Sequence, residues 1–64
     1  MSNYRQAVNL VDQIIEARSA VEAAKITAEQ LFEVELAEEL ALILGDLQVT
    51  EDMAREVMMY SRPE

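Results

Sequence analysis

Cysteine and histidine are both absent from the 64 residues, so neither a disulfide framework nor a zinc site of the usual ligand types can hold this chain together. Their absence also removes the common nucleophiles and bases. Only serines, threonines and the single Lys25 remain for catalysis, and Thr27 and Thr50 are expected to act as helix caps. One glycine, Gly45, cannot build a phosphate-cradling loop, and one proline, Pro63, sits at the far end. No apolar run approaches the 18 or more residues of a membrane span, and the N-terminus lacks a signal-peptide pattern, so a cytoplasmic location is expected. Cations are scarce too: five Lys and Arg against thirteen Asp and Glu leave a net charge of −8. Such a chain is repelled by nucleic acid and by anionic membrane surfaces, so neither is expected as a direct partner.

What is present is helix-forming. Apolar residues make up 52% of the chain but only Tyr4, Phe32 and Tyr60 are aromatic, and Ala, Leu, Glu, Gln and Arg dominate the rest. A single domain this short buries only about 60% of the surface of its unfolded chain. With disulfide and metal excluded, the remaining supplement to a marginal core is oligomerisation.

Periodicity predicts an all-α fold, a long antiparallel hairpin followed by a short third helix, over about 3–24, 28–44 and 51–61. Ser2 is the expected first N-cap. Thr27, with Gln30 three residues on and Ile26 facing Leu31, reads as a capping box with a staple and predicts a reversal near Ile26. Gly45 reads as a left-handed C-cap, and Thr50 followed by Glu51 and Asp52 as a new N-terminus. The second helix has an apolar arc too wide for one neighbour and too broad for a strict heptad zipper. That surplus predicts a homodimer with a bundle-like core and a seam of Leu36, Leu40, Ile43, Leu44, Leu47 and Val57.

Arg18 falls inside the apolar arc of the first helix and Glu33 inside that of the second. A reversal near Ile26 brings them level, so a register-fixing Arg18–Glu33 ion pair is expected across the hairpin or across a dimer seam. Glu29, Glu33, Glu35, Glu38 and Glu39 crowd one segment, but a di-metal bundle site would need histidines. A solvated acidic face, or a docking surface at Glu35, Glu38 and Glu39, is the better reading. The run from Asp46 to Val57 fails as a calcium loop, because Glu51 stands at the glycine position and Val57 at the terminal glutamate position. Met53 and Met58 are expected in the core, and Met59 and Tyr60 at an exposed contact.

No catalytic, metal-binding or cofactor-binding residue emerges, so a non-enzymatic protein without cofactor is expected. The leading functional class is a protein–protein interaction module, an adaptor, small chaperone or regulator that binds itself and a larger protein. The alternative is an acidic mimic of nucleic acid that occupies the basic groove of a DNA- or RNA-binding protein.

Overall fold

The computed structural model describes residues 3–62, which form two helices, α1 (Asn3–Gln30) and α2 (Val34–Tyr60), packed against each other as an antiparallel hairpin. The expected Ser2 cap and Pro63 terminator lie outside the described residues. There is no third helix among them. Helix α1 runs through Thr27, whose hydroxyl donates to the Ala23 carbonyl at 3.1 Å, and α2 runs through Thr50, whose hydroxyl donates to the Asp46 carbonyl at 2.8 Å. A threonine that satisfies its hydroxyl four residues back is accommodated inside a helix, so neither caps one. Gly45 is helical, not left-handed, and its cost of about 0.5–1 kcal/mol relative to alanine is spread over a helix of 27 residues.

The reversal lies six residues later than the capping signals suggested. The Glu33 amide donates to the Ala28 carbonyl at 2.9 Å and the Phe32 amide to the Glu29 carbonyl at 3.0 Å, the paired bonds of a Schellman ending. Phe32 takes the left-handed position of that motif, with φ 60°, where glycine is the usual residue. Glu33 is the N-cap residue of α2 but makes no side-chain capping bond.

With the turn at 31–33, the two helices meet along one seam. In α1 it comprises Tyr4, Ala7, Val11, Ile14, Arg18, Val21, Lys25 and Ala28; in α2 it comprises Ala37, Leu40, Leu44, Leu47, Glu51, Ala54, Met58 and Ser61. Spacings alternate between three and four, the heptad pattern of an antiparallel coiled coil. Val8 and Ile15 are the only other residues even half-buried among those described. The expected broad arc of α2 therefore contains a narrow zipper seam plus apolar residues that α1 leaves uncovered.

That seam is thin. The buried apolar residues are Ala7, Val11, Ala28, Ala37 and Ala54, four of them alanines, and no large side chain among the described residues is fully buried. At about 0.8 kcal/mol per buried methylene-sized group, such a core is small against a conformational cost of about 1–2 kcal/mol per ordered residue. The molecule extends 51 × 15 × 10 Å with a radius of gyration of 14.9 Å, against about 11 Å for a compact domain of this length. Its accessible surface of 5096 Å² exceeds the roughly 4,100 Å² typical of a folded monomer of its mass. Large apolar side chains such as Leu31, Leu42 and Val49 are among those left exposed.

Candidate functional site

The register places Arg18 opposite the middle of α2. Its Nη1 lies 2.7 Å from Oε1 of Glu51 and donates to Oε1 of Gln48, which in turn donates from Nε2 to Asp52 at 3.3 Å. Arg55 clasps the other Glu51 oxygen, with Nη2 at 2.7 Å and Nε at 3.0 Å. Oε1 of Glu51 is buried without an aligned hydrogen bond, so the Arg18 contact is one of charge rather than of directed bonding. Within the hairpin this replaces the expected Arg18–Glu33 pair: Glu33 sits exposed in the turn, half the molecule's length away. A reversal six residues later than expected brings Glu51, rather than Glu33, level with Arg18 within the hairpin.

Gln48, Asp52 and Arg55 lie to one flank of the seam, as does Glu29, which pairs with the seam residue Lys25 at 3.2 Å toward the turn. A shallow cleft there is lined by Lys25, Glu29, Phe32, Val34, Ala37, Glu38 and Ala41. The other flank has a different composition. The positions that precede alternate seam residues form two rows, Asn3, Leu10, Ala17, Ala24 and Leu31 along α1, and Leu36, Ile43, Thr50 and Val57 along α2. All nine are exposed and none is charged. In coiled coils these flanking positions are commonly Glu or Lys.

The seam register places both rows on one side of the hairpin, and at the open end two adjoining shallow grooves bring Asn3, Leu10, Thr50 and Val57 together. One is lined by Leu10, Ile14, Thr50, Met53, Ala54 and Val57, the other by Asn3, Gln6, Ala7, Leu10, Val57 and Ser61. Beyond the α2 row Leu42, Val49 and Met53 are also exposed, interspersed with Glu39 and Asp46.

The six residues expected to form an oligomer seam divide between two environments. Leu40, Leu44 and Leu47 are half-buried in the seam against α1, whereas Leu36, Ile43 and Val57 stand exposed in the uncharged row. Leu10, Ala17, Ala24 and Leu31 of α1 complete that face and were not singled out from sequence, although their seven-residue spacing is visible there. Of the methionines, Met58 packs in the seam as expected, but Met53 is 62% exposed. Glu35, Glu38 and Glu39 are exposed beside the turn, and Met59 and Tyr60 are exposed at the opposite end. They form two separate patches.

Among the described residues no helix is long and apolar enough to cross a membrane, and no group of three or more His, Cys, Asp or Glu residues is placed to hold a metal ion. No family model, curated protein or solved structure matches the chain. Its surface is therefore the source of any functional reading.

Proposed function

We propose that this chain is a non-enzymatic helical interaction module, which works by laying its uncharged flank against helices of another protein chain and completing a bundle with them. The observation that carries this reading is the contrast between a seam whose buried apolar residues are Val11 and four alanines and an exposed double row that includes Leu10, Leu36, Ile43 and Val57. Apolar patches of this extent on a small soluble protein mark association sites, and a hairpin with so thin a core gains stability when that face is covered. Glu35, Glu38, Glu39, Met59 and Tyr60 remain exposed in such a bundle and are the surfaces left to present to a larger partner.

Thermal unfolding over a dilution series, for the wild type and for Ile43→Glu, tests this. The wild-type midpoint is expected to rise with protein concentration, and a charge at the centre of the face is expected to lower it and abolish the dependence. A stable hairpin whose midpoint ignores both concentration and Ile43→Glu would mean that the face needs no partner.

A further inference from the structure

Resting on that reading, we infer that the occupant of the uncharged face is a second copy of this chain, stacked antiparallel, so that the turn of each hairpin lies over the open end of the other and a two-fold axis passes close to Ala17. The area suits a dimer. The broad side of the hairpin, within extents of 51 × 15 Å, can offer up to about 800 Å² per partner, enough for a standard specific interface.

Two face-to-face arrangements are symmetric, and the residue sizes choose between them. With turns together, α1 of one copy lies along α2 of the other. Leu10 then meets Val57 and Leu31 meets Leu36, large on large at both ends, while in the middle Ala24 meets Ile43 and Ala17 meets Thr50. With turns apart, each helix lies along its own copy in the opposite direction. Leu10 then meets Ala24, Ala17 meets itself and, at the same level on α2, Thr50 meets itself and Ile43 meets Val57. The rows of α1 interdigitate large against small, which is how close-packed interfaces are filled, and two alanines at the axis let the backbones approach closely.

Charge makes the same choice. Glu29, Glu33, Glu35, Glu38 and Glu39 gather at the turn end, whereas at the open end Arg5, Arg55 and Arg62 nearly offset Asp12, Glu51, Asp52 and Glu56. Turns together would crowd ten carboxylates at one end of the dimer; turns apart set each acidic end beside the other copy's nearly neutral, arginine-bearing end.

The chain contains no cysteine, so single-cysteine variants of the full chain report proximity without background. Under mild oxidation Ala17→Cys is expected to become a disulfide-linked dimer, whereas Leu31→Cys at the turn stays reduced. The reverse result overturns the antiparallel arrangement. As a second measurement, Ala17→Leu, which adds bulk at the axis but at an exposed position of the free hairpin, is expected to weaken the dimer in sedimentation about tenfold; an unchanged dimer also counts against the axis. A wild-type monomer at all concentrations overturns the inference altogether. If that monomer is thermally stable and indifferent to Ile43→Glu, the broader reading falls with it, whereas a monomer that unfolds near room temperature leaves the face to a different protein.

Discussion

Phe32 occupies a position that a glycine would take without strain. Its left-handed backbone, φ 60°, costs a residue with a Cβ about 1–2 kcal/mol, and its ring, 88% exposed, recovers little of that within the hairpin. Phe32→Gly is accordingly expected to raise stability by about 1 kcal/mol, read as a higher urea midpoint at unchanged slope. A fall in the midpoint would show that the ring is buried in the assembled protein, where the lost contact outweighs the relieved strain. Glu51 poses the opposite balance, since it is 4% exposed and sits in a seam position that leucine would fill. Arg18→Leu leaves its carboxylate buried with Arg55 alone and is expected to cost about 1–2 kcal/mol, less than the 3–5 kcal/mol of losing a sole partner. The double variant Arg18→Leu/Glu51→Leu removes both charges from the seam and is expected to equal or exceed the wild type. A double variant less stable than Arg18→Leu alone would mean that the network contributes more than its desolvation costs.

At the scale of elements, helical character and amphipathic faces were legible in the sequence, and the ends of the helices were not. Thr27 with Gln30, and Thr50 with Glu51 and Asp52, carry the side chains of a helix start, yet the same side chains sit equally well inside a helix when the hydroxyl turns back to a carbonyl. No proline stands beside either threonine, so nothing forces a break there. The true turn has no such mark, because Phe32 does the work of the expected glycine. The candidate face was legible in part, as surplus apolar residues on α2; its α1 half was hidden because Ala17 and Ala24 read as weakly apolar wherever they occur. Gly45 then has no conformational task, and a Cβ built there meets nothing within 4 Å. Gly45→Ala should therefore stabilise the protein by about 0.5–1 kcal/mol, as measured by denaturant titration. A loss instead would place another backbone against this point of α2, which the outward location of Gly45, away from both the seam and the uncharged rows, does not anticipate.

At the scale of the molecule, the proposed dimer sets an elongated hairpin of net charge −8 against a like-charged copy, so its assembly has to overcome long-range repulsion. The face itself contributes no ion pairs to offset this, since its rows hold no charged residue, and the internal pairs of Glu51 with Arg18 and Arg55 are made within each copy. Contacts between the acidic turn and the arginines of the other open end lie at the rim, where exposed pairs are worth little. Added salt screens charges beyond about 10 Å at 0.1 M while leaving apolar burial intact. Self-association is therefore expected to tighten as sodium chloride rises from about 0.05 to 0.5 M, seen in sedimentation as a dimer that persists to greater dilution. Weakening over the same range would mean that the rim pairs between turn and open end, not the uncharged rows, hold the two copies together. Insensitivity to salt would require the two effects to balance, and replacing Arg5 and Arg62 by glutamine would then unmask the repulsion.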